Sequence, residues 1–137
     1  MHRYLAAALL VPAALTCSAQ ETAVDTHQGI AEALVELLSR TELCLNGCTD
    51  AASVQAALPQ LQQLAAEAAD LSARQKALPE PTVQDYMASQ VLAKDFLVLQ
   101  RAIRQHLDRL QKGGLMTPEL REILKTEPEN APVKSQQ

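Results

Sequence analysis

Apolar residues recur at alternating steps of three and four along three stretches of the chain, and this spacing predicts three amphipathic helices. The first helix is expected from Thr26 to Asn46, the second after a cap at Thr49 or Asp50, and the third from Val83 to Lys112. The predicted buried seams are Ile30, Leu34, Leu37, Thr41, Cys44 and Cys48; Val54, Ala57, Leu61, Leu64, Ala68, Leu71, Gln75 and Leu78; and Leu92, Phe96, Leu99, Ile103, His106 and Leu110. Further apolar positions widen the first and third faces: Val35, Leu38 and Leu45, and Met87, Val91, Val98 and Leu107.

Residues with strong helix-end preferences separate these segments. Gly47 is expected to end the first helix in a left-handed conformation, and Gly113-Gly114 to end the third. Thr82 with Asp85 three places later is typical of a capping box at the start of the third helix.

The second helix has an internal proline and a sharp end. Pro59 lies inside the apolar pattern, where it predicts a kink near residues 55–59, or a short helix running into a longer one. Pro79-Glu80-Pro81 ends the helix and forces a tight reversal, so the second and third helices are expected to face each other.

A short fourth helix is predicted after Thr117-Pro118-Glu119, with Leu120, Ile123 and Leu124 on its apolar face. Short connections between long helices favour antiparallel neighbours. The predicted fold is therefore all-α: an antiparallel, up-down-up three-helix bundle with heptad-like packing and a short C-terminal helix, spanning residues 26–125. The polar segment 126–137 is expected to be disordered.

Residues 1–19 have the layout of a signal peptide, with Arg3 before the apolar stretch Leu5 to Leu15. Small residues at Cys17 and Ala19 predict cleavage after Ala19, a flexible mature N-terminus at 20–25, and a periplasmic or extracellular location. Two alternatives remain: a lipoprotein anchored through Cys17 in the envelope, and a short membrane anchor. Beyond residue 19 no hydrophobic stretch is long enough to span a membrane.

The composition favours a helical chain and disfavours one class of partner. Aromatic residues make up 2% of the chain, which disfavours an all-β fold. The net charge is −4 and becomes −5 when Arg3 is removed with the signal peptide, so nucleic acid is not an expected partner. The heptad spacing leaves a monomeric bundle and a homodimer as alternatives.

Cys44 and Cys48 are the candidate site residues, because they are the cysteines that remain after cleavage behind Ala19. In an oxidising compartment they are expected to form a disulfide that staples the end of the first helix, with Gly47 turning the chain back. Free or intermolecularly bonded thiols, redox chemistry and a copper or zinc site that also uses His106 are the alternatives.

The segment Cys-Leu-Asn-Gly-Cys resembles the Cys-x3-Cys copper motif of periplasmic copper-delivery proteins that assist cytochrome oxidase. Their fold is thioredoxin-like, whereas this sequence predicts no strands. The segment also resembles the pairs in exported copper-storage four-helix bundles, which contain many cysteines where this chain has a single pair. These resemblances imply copper binding only as an alternative.

No catalytic constellation is found, so the sequence predicts neither an enzyme nor a cofactor. The stretch from Asp50 to Leu61, after a leucine-rich helix, resembles small exported helical proteins of bacteria, which have no assigned activity. The resemblance implies export and a helical fold. The resulting expectation is a non-enzymatic interaction or envelope-structural module with a protein partner or a second copy.

Overall fold

The computed structural model describes residues 25–125, and the regular structure in this range is helical throughout. Its elements are α1 (His27–Asn46), α2 (Ala51–Lys76), α3 (Val83–Lys112) and α4 (Pro118–Leu124). The all-α class and the four predicted helices are confirmed. The predicted signal peptide with Cys17 and Ala19, the segment 20–24 and the segment 126–137 lie outside the described residues.

Each helix starts at a side chain that accepts hydrogen bonds from otherwise unpaired backbone N–H groups. Thr26 caps α1 and Thr117 caps α4. Asp50, rather than Thr49, caps α2 and forms a reciprocal capping box with Ser53. The predicted box at Thr82 and Asp85 is present at the start of α3, so the helix starts follow from local sequence.

α2 is one uninterrupted helix through Pro59, and the predicted possibility of two helices joined there is wrong. A proline in a helix interior removes one backbone hydrogen bond. Val54 before it and Leu61 after it are both buried in the same core. Tertiary packing on the two sides of Pro59 therefore holds a single helix together.

α1 occupies the middle of the fold, because it packs against both α2 and α3. Among the described residues, no Cα atom of α2 lies within 8 Å of a Cα atom of α3. The expected facing of the second and third helices is therefore wrong. Leu92 and Leu99 instead line cavities against α1. The apolar residues of α1 contact α2 on one side and α3 on another.

The core is tightest at the end of the molecule where α4 lies against α2. Six side chains there are at most 1% exposed, and they come from all four helices and from the connection between α1 and α2: Leu45, Cys48, Val54, Leu61, Leu110 and Leu120. At the other end the seam of α3 is only half-buried at Leu92 and Phe96. One end of the bundle is thus closed and the other is open.

Part of the apolar surface of α3 faces outward. Met87, Val91 and Val98, predicted to widen the buried face, are 69%, 78% and 57% exposed. They lie roughly 100° or more round the helix from Leu92, given about 100° of rotation per residue. With α2 displaced from α3, no described element covers this side of the helix.

Asp25 corrects the expectation of a loose segment through residue 25. Its carboxylate accepts a hydrogen bond from Arg74 Nε at 2.9 Å and a second from Arg74 Nη2. The pKa of Asp25 is lowered, chiefly by these hydrogen bonds from Arg74. The ion pair with Arg74 therefore fixes the described chain against α2 from Asp25 onward.

Across the described range, the helices lack a stretch that is both long and apolar enough to cross a membrane.

Candidate functional site

Cys44 and Cys48 lie at the C-terminal end of α1, and both are free thiols in the structure. Cys48 is fully buried, and its Sγ donates to the carbonyl oxygen of Cys44 at 3.4 Å. Burial raises the pKa of both thiols; the neighbouring Cys48 adds to the rise at Cys44, and Arg109 opposes it at Cys48. Both groups are therefore protonated near neutral pH, which makes them weak nucleophiles.

The thiols of Cys44 and Cys48 are not joined in the structure, and the backbone between them differs from the prediction. Gly47 has φ −72° and ψ −13°, which is right-handed helical, so the expected left-handed turn at Gly47 is wrong. Cys48 lies beyond the last residue of α1, Asn46, and its Sγ contacts the carbonyl oxygen of Cys44. The turn that was expected to bring the sulfurs together is absent.

His106 is the centre of a polar contact between α3 and α1. Its Nε2 lies 2.8 Å from Glu42 Oε1, and its Nδ1 lies 3.4 Å from Arg109 Nη2. A guanidinium can only donate, so Nδ1 accepts and the ring proton is assigned to Nε2, where it is donated to the carboxylate. His106 thus joins an acidic side chain of α1 to a basic side chain of α3.

Arg109 binds the C-terminal end of α1 directly. Its Nη1 donates to the carbonyl oxygen of Cys48 at 2.7 Å, and its Nη2 donates to that of Leu45 at 3.0 Å. Carbonyl groups at a helix C-terminus lack partners within the helix and carry the negative end of its dipole. A cation from α3 therefore supplies hydrogen-bond donors to carbonyl groups at the end of α1, a role that sequence reasoning missed.

The three residues of the alternative metal site are not assembled as ligands. Between residues 25 and 125, no three side chains of His, Cys, Asp or Glu lie close enough together to hold a metal ion. His106 is engaged with Glu42, while Cys48 donates to a backbone carbonyl. Glu42, His106 and Arg109 therefore hold α1 against α3 through hydrogen bonds.

A second candidate site is an apolar groove along α1 between α2 and α3, where those two helices fail to meet. A cavity of about 450 Å³ lies near α4, and its lining includes Leu38, Thr41, Ala69 and Ile103. A cavity of about 300 Å³ lies near the open end, lined in part by Leu34 and Phe96. We call these two cavities together the α2–α3 groove.

Sequence reasoning missed this groove because it assigned each helix a single buried seam. The signal was present in α1, where Val35 and Leu38 widen the apolar face beyond one seam. Val35 lines the groove cavity near the open end and a further cavity between α1 and α3, and Leu38 lines the groove cavity near α4. A helix with so wide an apolar face can contact two neighbours and still leave apolar surface between them.

The chain matches no protein-family model, no curated protein and no solved structure. The assignment of a function therefore depends on the described residues and on general chemistry.

Proposed function

We propose that the protein is an exported, non-enzymatic interaction module, and that the α2–α3 groove is its binding surface. The observation that carries the proposal is the groove itself: an apolar trough, floored by Leu34, Leu38 and Thr41, that runs along α1 from α4 to the open end and is left uncovered beside a tightly packed core. Elongated apolar grooves in helical proteins are common binding surfaces for partner segments. The polar residues of the other candidate site support a structural role, because Glu42, His106 and Arg109 are engaged in helix attachment.

The groove follows from an up-down-up arrangement, which we include in the proposal. Asp25 before α1 pairs with Arg74 in the last turn of α2, and His27 Nε2 lies 2.8 Å from the carbonyl oxygen of Pro79. Arg109 near the end of α3 binds the end of α1. These contacts support an antiparallel α1–α2 pair and a parallel α1–α3 pair.

Export is proposed from the layout of residues 1–19 alone. The intact mass of the secreted or periplasmic protein tests it, with a chain starting at Gln20 expected. A lipid-modified chain starting at Cys17 would contradict the soluble form and assign the protein to a membrane surface. The disulfide stays a prediction for the exported protein. The same spectrum tests it, because forming the disulfide lowers the mass of the chain by that of two hydrogens.

Photocrosslinking in producing cells tests the interaction. A benzophenone side chain is introduced at residue 69, where Ala69 is exposed and lines the α2–α3 groove. The matched control is residue 66, where Ala66 is exposed on the same helix but lines a cavity on the other side of the α1–α2 pair. A discrete crosslinked species from position 69 and none from position 66 is expected. Equal crosslinking from both positions, or none from either, would reject the groove as a binding surface.

A further inference from the structure

We propose that the partner bound by the α2–α3 groove is an amphipathic helix with acidic flanks, supplied by another protein. This inference rests on the proposed function and specifies its partner. The shape of the groove, the helix that already lies at one end of it and the charges along its edges support this partner.

The shape of the groove fits a helix of about three turns. The open floor runs along α1 from Ile30 to Thr41, which corresponds to roughly 17 Å at about 1.5 Å per residue. The α2 wall consists of Leu61 and Leu64, which belong to the buried core, and of small side chains at Ala65, Ala68, Ala69 and Ser72. Small residues let a second helix approach closely, whereas an extended peptide would leave its backbone groups without partners against such a wall.

α4 shows how a helix is held beside this groove. It packs against α2, with Leu120 fully buried, and Arg121 Nη2 donates to Gln111 Oε1 of α3 at 2.9 Å. Ile123 and Leu124, at the end of α4, line the cavity that continues beyond it. A docked helix would thus extend an apolar surface on which the chain already packs one helix.

Three basic residues lie in the groove or beside it. Lys125 lines it directly, Arg104 follows the lining residue Ile103, and Lys76 lies one helical turn after the lining residue Ser72. The acidic residues of α2 are on another side, because Glu67 and Asp70 line the cavity that also contains Arg40 and Arg74. Asp85, at the open end, is engaged in the cap with Thr82. Acidic flanks on the partner complement this arrangement.

The same charges argue against a second copy of this chain. The exposed apolar side of α3 is the obvious donor, but Lys94 and Arg101 lie on that side, within about 40° of Met87 in helical angle. Inserting it would place basic residues beside Arg104 and Lys125. The segment 126–137 carries Glu127 and Glu129 but also two prolines, which oppose a helix.

The test measures fluorescence anisotropy of labelled peptides with the exported full-length protein. The probe is a capped 14-residue helix with a leucine stripe and glutamates on both flanks. One control peptide has lysine at each glutamate position, and another has the leucine stripe scrambled. We expect the acidic peptide to bind at least about tenfold more tightly than either control at low salt.

Two pairs of variants assign the binding to the groove. Ala69→Arg should weaken binding of the acidic peptide by about tenfold or more, and its matched control Ala66→Arg should leave it unchanged. The double variant Arg104→Glu with Lys125→Glu should reverse the preference between acidic and basic peptides. Arg101→Glu, on the outer side of α3, should not reverse it.

Several results would overturn the inference. Equal affinities for the acidic and basic peptides, or a full effect of Ala66→Arg, would reject an acidic helix in the groove. A dimer in sedimentation that Ala69→Arg dissociates would assign the groove to a second copy. A tenfold gain in peptide affinity on replacing Glu127 and Glu129 by lysine would assign it to the chain's own C-terminal segment. Absent peptide binding with crosslinking retained from position 69 rejects the helix but leaves the proposed function standing.

Discussion

At the scale of single residues, two glycines at helix ends differ in a way that their neighbours do not predict. Gly47 has right-handed helical angles, and a Cβ atom built there would lie 3.5 Å from the carbonyl oxygen of Cys44, an ordinary contact. Gly114 has φ +69°, and a Cβ atom there would meet nothing within 4 Å. Backbone conformation, rather than space, therefore separates the two positions.

Gly114→Ala should lower the free energy of unfolding by about 1 kcal/mol, because a left-handed conformation is strained for a residue with Cβ. Gly47→Ala should leave stability unchanged or raise it by about 0.5 kcal/mol, since alanine restricts the unfolded chain. Urea unfolding of the two variants checks both values. Equal losses in the two variants would contradict the assigned backbone conformations.

Arg109 has a larger expected effect than its exposure suggests. Arg109→Gln should lower the free energy of unfolding by about 2 kcal/mol, because it removes two charged hydrogen bonds to the end of α1, at the carbonyl oxygens of Cys48 and Leu45. Urea unfolding gives the cost, and amide hydrogen exchange should show faster exchange in the last turn of α1. Arg101→Gln, an exposed change on the same helix, is the control. Similar losses in both variants would show that the contacts to α1 contribute nothing specific.

At the scale of helices, the N-terminal caps connect local sequence to a pH dependence. Asp85 Oδ2 accepts from the backbone N–H of Thr82 at 2.8 Å and from its hydroxyl at 2.7 Å. These hydrogen bonds lower the pKa of Asp85 from its usual 3.8, and equivalent bonds to Ser53 lower the pKa of Asp50. A carboxyl group whose pKa is lower in the folded state stabilises the fold above its ordinary pKa, and this contribution disappears as the pH falls through the lowered value.

Asp85→Asn should therefore lower the melting temperature at pH 7, and the difference from wild type should shrink as the pH falls below about 3.8. Melting curves by circular dichroism between pH 2 and pH 7 measure it. Asp95→Asn, an exposed change on the same helix outside the cap, should not reproduce this dependence. A constant difference for Asp85→Asn across the range would mean that ionisation of the cap carries no stability.

At the scale of the whole molecule, stability is concentrated at one end. Leu45, Val54, Leu110 and Leu120 join the four helices in a core with almost no exposed side-chain surface. The α2–α3 groove runs from α4 toward the open end, where α3 presents apolar residues outward. The closed end thus supplies the packing that lets the other end keep an uncovered surface.

Leu120→Ala should lower the free energy of unfolding by roughly 2–5 kcal/mol, because it removes buried methyl groups from the closed end and leaves a cavity. Val91→Ala, at a residue that is 78% exposed, should change stability by no more than about 0.5 kcal/mol. Chemical denaturation of both variants tests the difference. A large loss for Val91→Ala would show that its side of α3 is covered in solution.

The sequence by itself determined the helices and where they begin. Periodicity located α1 and α3, and Thr82 with Asp85 fixed the start of α3, because both signals act over a few neighbouring residues. The sequence did not determine the conformation of Gly47, since a glycine permits both right-handed and left-handed angles. It also could not show that Pro59 lies in a continuous helix, which packing on both sides holds together.

Only the tertiary structure decided which helix lies between the others. Connection length indicated that α2 and α3 reverse at residues 79–81, but adjacency in sequence does not require contact in space. Because α1 packs against both, the α2–α3 groove opens, and Arg109 reaches the end of α1 from α3. These features depend on relative helix positions, which are set by summed apolar burial across the molecule rather than by any local pattern.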